Sequence, residues 1–396
     1  MHHFRLLTPD AQYADDGAIE RETAGADVHW DIHRAQSPEE LPGEALAACD
    51  AIVAWHEMKI DRSFVAMLKR CKVIVRAGVG FDHIDLDAAA QAGIPVCNTP
   101  DYGTSEVADH AIGLMLALRR GIVSYHQHLV ADPSHGFNYT LAPLVRRLRG
   151  RVFGIVGLGR IGTATALRAK AFDMSVAIYD PLVSRGTEIA VGVDRKESLE
   201  ELLAISDVVS LHCPLTDTTR NMVNQTTLAL MKPDAILINT ARGAIVDIPA
   251  LIDALRRGVI AGAALDVLPV EPPPAGDMLA EAYRGRTDPI VGDRLLVTPH
   301  AAWSSPESVS DARRLAVETA MLFLREGRLR NLVNAPGNLR LNGVADRGND
   351  SHVPPRARAF SVPIESERGS IALSGRIFAT QTGVHFAGKC SRADLR

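Results

Sequence analysis

Arg151–Asp180 reads RVFGIVGLGRIGTATALRAKAFDMSVAIYD. Val152, Phe153, Ile155 and Val156 form a short apolar run, the pattern of a buried strand. Gly157, Gly159 and Gly162 follow in the spacing G-x-G-x-x-G, a helical segment runs from about Ile161 to Phe172, and a second apolar run, Val176–Tyr179, ends at Asp180. Each part has a physical task. Gly157 turns the chain sharply, Gly159 leaves room for a pyrophosphate, and Gly162 lets the helix pack close to the strand. The helix N-terminus offers free N–H groups and the positive end of its dipole to phosphates. Asp180 stands where a carboxylate accepts both ribose hydroxyls. A lone glycine pattern is a common turn; strand, helix, second strand and acid together point to a dinucleotide site. Asp180 repels a 2′-phosphate, which favours NAD over NADP. Arg185 lies close enough to weaken that preference without replacing the acid.

Working outward, the α/β rhythm continues downstream. Asp207–Leu211 is a strand ending in His212-Cys213-Pro214-Leu215-Thr216, Ala235–Asn239 one ending in Thr240-Ala241-Arg242-Gly243, Ile260–Leu265 one ending in Asp266, and Leu295–Thr298 one ending in Pro299-His300. Between them Asp247 caps a helix with Pro249 in its first turn and Gly258 past its end. Polar residues thus gather at the C-terminal ends of parallel strands, the edge where open α/β sheets bind ligands. A long helix, about Ser304–Glu326, follows, placed to return to the first part of the chain.

Upstream, Phe4–Thr8, Val28–His33, Ala51–Trp55, Val73–Arg76 and Pro95–Asn98 read as strands, with helices such as Ser37–Cys49 and Arg62–Arg70 between them. Alternation of this kind implies a second parallel sheet. It carries no glycine fingerprint. After the Asn98–Gly103 break a helix is expected from about Ser105 to Arg120, with Thr104 as its cap, Glu106 in its first turn and Gly121 as its stop; residues 125–149 read as loop. Residues 337–396 hold few apolar clusters, the stretch Asn349–Arg358 reads as unstructured, and Ile371–Phe378 and Val384–Phe386 are weak strand candidates.

The 396 residues allow two domains with proper cores, and 46% hydrophobic with 23% charged residues is the balance of a water-soluble globular chain. A net charge of −4 gives no reason to expect nucleic acid or a membrane surface as partner. The five cysteines include no C-x-x-C and mostly sit in apolar runs, as buried thiols in a reducing cytosol do. MHHFRLLTPD has no export signal, and the apolar run Ala111–Leu118 is too short to span a bilayer, so the expected location is cytoplasmic.

Arg242, Glu271 and His300 stand at strand ends or just beyond. Reducing a 2-oxo acid requires a grip on its carboxylate and carbonyl, a proton for its C2 oxygen, and a hydride. An arginine fork suits the first task and a histidine titrating near neutrality the second. A carboxylate behind the histidine fixes its orientation and favours its protonated form. The nicotinamide supplies the hydride. Taken singly, an Arg after a strand is ordinarily a surface charge, a Glu before prolines a loop residue, and a His after Thr-Pro a turn cap. Their order and placement favour the chemical reading.

Over about residues 50–334 the chain resembles the D-isomer-specific 2-hydroxyacid dehydrogenases. The matching segments are Arg76–Asp85 (RAGVGFDHID), the glycine turn, Asn239–Gly243, Leu265–Val267 and Thr298–Trp303. The resemblance implies a Rossmann nucleotide-binding domain, about 100–300, inserted into a flavodoxin-like α/β substrate domain built from 1–99 and 301–334, with a homodimer as the assembly. It implies Arg242, Glu271 and His300 as catalytic residues. On the cofactor side it implies Arg160 and Ile161 beside the three glycines and Asp180, with Thr104, His212, Cys213, Pro214, Thr219, Thr240, Ala241 and Asp266. On the substrate side it implies Arg76, the backbone of Val79 and Gly80, and Trp303; no metal is called for. LRAKAF at Leu167–Phe172 and HAAW at His300–Trp303 are similar to the C-terminal-binding-protein branch, whose tryptophan lines the substrate pocket. The chain departs from the family pattern in a long stretch between Glu271 and His300, with Pro272, Pro273, Pro274 and a helical insert near Met278–Tyr283, and in the tail after Pro336. The expected activity is NAD-dependent interconversion of a small 2-oxo acid and its 2-hydroxy acid. The alternative is an NAD-responsive binding protein of the corepressor type. The intact Arg242, Glu271 and His300 set favours the enzyme.

Overall fold

A computed structural model of the protein describes residues 4–285 and 294–336. The expected apolar runs become two parallel sheets. The first joins β1 (Phe4–Thr8), β2 (Val28–Ile32), β3 (Ala51–Ala54), β4 (Val73–Arg76) and β5 (Val96–Asn98) in the order β2-β1-β3-β4-β5. The second joins β6 (Val152–Val156), β7 (Ser175–Tyr179), β8 (Asp194–Arg195), β9 (Val208–Leu211), β10 (Ile236–Asn239), β11 (Gly262–Leu265) and β12 (Leu295–Val297) in the order β12-β11-β10-β9-β6-β7-β8. Helices cover both faces of each sheet, so most strands are apolar on both sides.

Successive residues pass to opposite faces. In the first sheet Leu6, Val53 and Val75 join one core, while Leu7, Ile52 and Ile74 join the other with Leu46 and Phe64. In the second, Phe153, Ile155, Val208 and Ile236 pack on Ala111, Met115 and Leu118 of the helix Thr104–Arg119. Val156, Val209 and Leu237 face Leu202, Leu251 and Leu255 from the helices Leu199–Ile205 and Ile248–Arg257. Each such Val, Leu, Ile, Met or Phe side chain stabilises the fold by about 1.5–3 kcal/mol relative to exposure.

The long helix is Pro306–Glu326, capped by Ser305, whose Oγ accepts from Ser308 N at 2.9 Å. Ala312, Ala316, Val317, Ala320 and Phe323 lay it on the first sheet, where the alanines permit close approach. Arg313 anchors it, donating to Asp15 at 2.7 Å and Glu20 at 2.6 Å, with its guanidinium carbon 3.7 Å from the centroid of the Tyr13 ring. Residues 331–334 then cover the β5 edge: Val333 N donates to Val96 O at 2.8 Å, and Asn334 Oδ1 accepts from Val96 N at 2.8 Å. That occupies backbone groups an open edge strand would expose.

Several local expectations need correction. Thr104 is the first residue of its helix and Gly103 is the cap; the Thr104 hydroxyl points back to Pro100 O at 3.5 Å. The 125–149 loop holds the end of the helix Ile122–Ala131 and a short turn of helix at Pro133–Gly136. Ile122–Ala131 buries no residue fully, so it shows no core stripe for periodicity to find. The expected helix Ser37–Cys49 is split at Pro42 into a 3₁₀ turn, Pro38–Glu40, and the helix Gly43–Ala48. The insert expected at Met278–Tyr283 is the helix Met278–Gly285. The 337–396 readings, including Ile371–Phe378 and Val384–Phe386, lie outside the described residues.

Candidate active site

The glycine turn joins β6 to the helix Arg160–Lys170. Gly157 has φ 97°, and a Cβ on Gly162 would lie 2.0 Å from Gly157 O, so only glycine fits there. At Gly159 a Cβ would meet no atom within 4 Å. The backbone is thus open where a pyrophosphate approaches, in front of the first N–H groups of an 11-residue helix. Arg160 at its head pairs with Asp101 at 2.7 Å, and Ile161 is in the same first turn.

Asp180 closes the turn from the end of β7. Its Oδ2 accepts from Leu158 N at 2.8 Å, and its Oδ1 accepts from Leu182 N at 2.8 Å and Val183 N at 3.1 Å. These bonds pin the carboxylate at the strand end and leave lone pairs for ribose hydroxyls. Arg185 pairs with Glu197 at 2.7 Å on the exposed surface. Further along the same sheet edge, His212 Nε2 meets Ser210 Oγ at 2.9 Å, and burial pushes the ring's pKa down to about 4. Burial pushes the Cys213 thiol up to about 12. Thr219 Oγ1 donates to Pro214 O at 2.7 Å and folds that loop back on itself. Ala241 N donates to Asn239 Oδ1 at 3.0 Å, and the Thr240 hydroxyl is buried with no partner among the described residues. An open glycine turn, an anchored strand-end acid and an unpaired buried hydroxyl fit a dinucleotide along this edge.

His300 follows β12 in left-handed backbone, φ 52°, which costs a residue with a Cβ about 1 kcal/mol or more. Asp266 holds it there. Its backbone O accepts from His300 N at 2.7 Å, and its carboxylate accepts from Thr298 Oγ1 at 2.5 Å and from Ala301 N and Ala302 N at 2.9 Å each. Asp266 is 1% exposed, so its side chain is spent on the loop that carries His300, a task not read from the sequence.

His300 Nδ1 lies 2.6 Å from Glu271 Oε2, and Glu271 Oε1 accepts from Leu268 N at 2.6 Å. Burial raises the Glu271 pKa, but the hydrogen bond and charge of His300, with Leu268 N, outweigh it and hold the carboxyl below its ordinary value. With Nδ1 taken, Nε2 is the nitrogen left to face a substrate.

Arg242, after β10, donates Nε to Asp82 Oδ1 at 2.8 Å and Nη1 to Ala241 O at 2.7 Å. Its guanidinium lies over Gly80, where a Cβ would sit 1.1 Å from Nη2, so any side chain at this position would push the guanidinium aside. Arg76 turns beneath the same loop, 7% exposed, donating Nε to Gly80 O at 2.8 Å and Nη1 to Ala77 O. Asn98 Nδ2 donates to Val79 O at 2.8 Å. Arg76 thus shapes the Val79–Gly80 loop from behind. Trp303 completes an aromatic wall, its ring 5.9 Å from Tyr102 and 6.2 Å from Trp55. Asp82 was legible only as a member of the loop motif; nothing in its spacing pointed to Arg242.

A profile of the D-isomer specific 2-hydroxyacid dehydrogenase NAD binding domain matches residues 112–302. The D-3-phosphoglycerate dehydrogenase of Methanocaldococcus jannaschii is 34% identical over 332 residues, 84% of this chain and 60% of that protein. Its counterpart in Archaeoglobus fulgidus is 36% identical over 306 residues, 77% of this chain and 55% of that protein. The chain therefore spans little more than half the length of these curated relatives. Among solved structures, D-lactate dehydrogenase from Aquifex aeolicus with NAD and lactic acid superposes with a TM-score of 0.70 at 30% identity, over 84% of this chain and 99% of that one. The NADPH-dependent glyoxylate/hydroxypyruvate reductase of Sinorhizobium meliloti with NADP and malonate gives 0.71 at 29% identity, over 83% and 96%. No described helix is long and apolar enough to cross a membrane.

Proposed function

The chain belongs to the D-isomer-specific 2-hydroxyacid dehydrogenase family, and from that premise we propose that it is an NAD-dependent oxidoreductase reducing a small 2-oxo acid to its D-2-hydroxy acid. The observation that carries this reading is the 2.6 Å contact of His300 with Glu271 on a loop pinned by Asp266, at the sheet edge that also presents Arg242.

The second sheet is the cofactor domain and the first, with Pro306–Glu326, the substrate domain; the 2-oxo acid sits between them. Gly157, Gly159, Gly162, Asp180 and the 212–219 loop hold the dinucleotide, which supplies hydride chemistry when bound. Arg242 binds the substrate carboxylate or carbonyl oxygen and polarises the carbonyl, with Asp82 fixing its fork. The Val79–Gly80 backbone offers N–H groups to the carboxylate. Protonated His300 gives its Nε2 proton to the C2 oxygen, and Glu271 orients the ring and favours the imidazolium. NAD is preferred to NADP because Asp180 lies where a 2′-phosphate would be and Arg185 is engaged by Glu197.

The assembly is a homodimer. Support comes from the family resemblance and the prevalence of two-fold dimers, and from Val130, Phe137 and Tyr139, large apolar side chains that stand 71%, 86% and 87% exposed on the segment between the two sheets. The free thiols Cys49, Cys71, Cys97 and Cys213 support a cytoplasmic location. A binding protein without turnover would leave the His300–Glu271 pair without a task. The test is a panel of 2-oxo acids followed at 340 nm, where reduced nicotinamide absorbs, with NADH and NADPH. NADH-dependent reduction of at least one acid is expected; none with either cofactor would overturn the proposal.

A further inference from the structure

Beside His300 stands a side chain to which the acid–base account gives no role. His56 lies just past the end of β3, its ring centroid 5.8 Å from that of His300 and the planes tilted by 38°. Its backbone is fixed from below. Asp10, 1% exposed, accepts from Trp55 N at 2.8 Å, Glu57 N at 3.0 Å and Met58 N at 2.9 Å, so the chain on both sides of His56 is tied to one buried carboxylate. The His56 side chain keeps 34% of its surface open, and Glu57 Oε1 lies 3.8 Å from its Nε2.

We propose that His56 reads the group attached to C3 of the substrate, favouring a neutral hydrogen-bonding substituent such as a hydroxyl over a second anionic group. The inference rests on the 2-oxo acid reading above. The oxygen, the carboxylate and C3 leave a carbonyl carbon in one plane and in three directions. His300 and Arg242 take the first two, so C3 is sent the third way, past the groups flanking His300. His56 is a polar group in ring contact with His300 that neither task uses. Burial, with the charges of Arg76 and His300, pushes its pKa down to about 4, so the ring is neutral in the working range. A neutral imidazole offers one donor and one acceptor, which matches a hydroxyl. It brings no charge of its own to a phosphate or second carboxylate, and the Glu57 carboxylate beside it opposes one. The Arg76 and Arg242 guanidinium groups, whose charges also reach it, are engaged by the Gly80 and Ala77 carbonyls and by Asp82.

The test assays the full-length protein with NADH against glyoxylate, pyruvate, hydroxypyruvate, oxaloacetate and 3-phosphooxypyruvate, as wild type, His56→Phe and His56→Gln. The wild type is expected to prefer hydroxypyruvate to the two acids with an extra anionic group. His56→Phe lowers kcat/KM for hydroxypyruvate by about 10-fold, the worth of one hydrogen bond, and for pyruvate by less than about 3-fold. His56→Gln, which keeps a donor and an acceptor, recovers most of the loss. A uniform loss across the panel overturns the inference and makes His56 a positioning residue for His300. No loss in His56→Phe, or a wild-type preference for oxaloacetate or 3-phosphooxypyruvate, also overturns it; these results leave the reductase reading standing. A wild type that reduces no acid in the panel overturns that reading and the inference together.

Discussion

Arg242 Nε donates to Asp82 Oδ1 at 2.8 Å across 160 residues of chain, joining a strand end of the second sheet to the loop that follows β4 of the first. Burial raises the Asp82 pKa, but Arg242 outweighs it and holds the carboxyl below its ordinary value, so Asp82 stays charged at neutral pH. Asp82→Asn keeps the shape and removes the charge. It is expected to lower kcat/KM by about 10–100-fold, mainly through KM, because the fork loses a charge-assisted hydrogen bond that orients it. Steady-state kinetics on the preferred acid check this; an unchanged KM would mean that Arg242 is held without Asp82.

Cofactor choice is expected to follow Asp180. Asp180→Ala removes the acceptor for Leu158 N, Leu182 N and Val183 N together with the ribose site. NADH is expected to bind about 10-fold or more weakly, since charged hydrogen bonds are lost, and its advantage over NADPH to narrow. Fluorescence titration of both cofactors measures it. Equal affinity of the wild type for NADH and NADPH would refute the assignment.

Gly162→Ala places a Cβ 2.0 Å from Gly157 O. Helix and strand must separate or the turn must deform, at a cost of about 1–3 kcal/mol. NADH affinity is expected to fall while the circular dichroism spectrum stays native. Wild-type affinity in this variant would show that the turn is not the pyrophosphate site.

Stability in acid is expected to depend on the clamp at Arg313. The Arg313 hydrogen bond lowers the Asp15 pKa to about 2 from an ordinary 3.8. A depressed carboxyl pKa contributes stability above the unfolded value, and that contribution is lost as pH falls through the folded one. Asp15 is 48% exposed, so solvent screening limits the gain to about 1 kcal/mol or less. Urea melts should show Asp15→Asn less stable than wild type at pH 5–7, the gap closing between pH 4 and pH 2. A gap independent of pH would mean that the loss comes from packing.

The sequence carried the sheet strands well because a strand buried on both faces is a largely apolar run, as at Ala51–Ala54 and, up to its polar last residue, Ile236–Asn239. Asp247, Pro249 and Gly258 likewise marked the helix Ile248–Arg257, with the Asp247 side chain accepting from Ala250 N and Gly258 at φ 68°. Local signals fail where the cause is not local. Ile122–Ala131 is a helix with no residue fully buried, and its apolar residues therefore follow no core stripe. The family resemblance put Arg76 on the substrate side; that its guanidinium donates to Gly80 O and Ala77 O beneath the loop is read only from the fold. Asp266 stood out as a strand-end acid, but only the fold shows its carboxylate spent on Thr298, Ala301 and Ala302. Residues so far apart in sequence, such as Asp82 and Arg242, meet through topology alone.

The central claim is that His300 delivers a proton and that Glu271 favours its charged form. The direct measurement is the pH profile of kcat/KM for 2-oxo acid reduction in wild type, Glu271→Gln and His300→Asn. Reduction needs the imidazolium, so activity falls as pH rises and the proton is lost. A neutral amide no longer attracts that charge, so Glu271→Gln is expected to move the alkaline limb to lower pH. His300→Asn is expected to cut kcat by about 10²–10⁴ while NADH still binds. An alkaline limb unmoved in Glu271→Gln, with turnover abolished in His300→Asn, would contradict the pairing of the two.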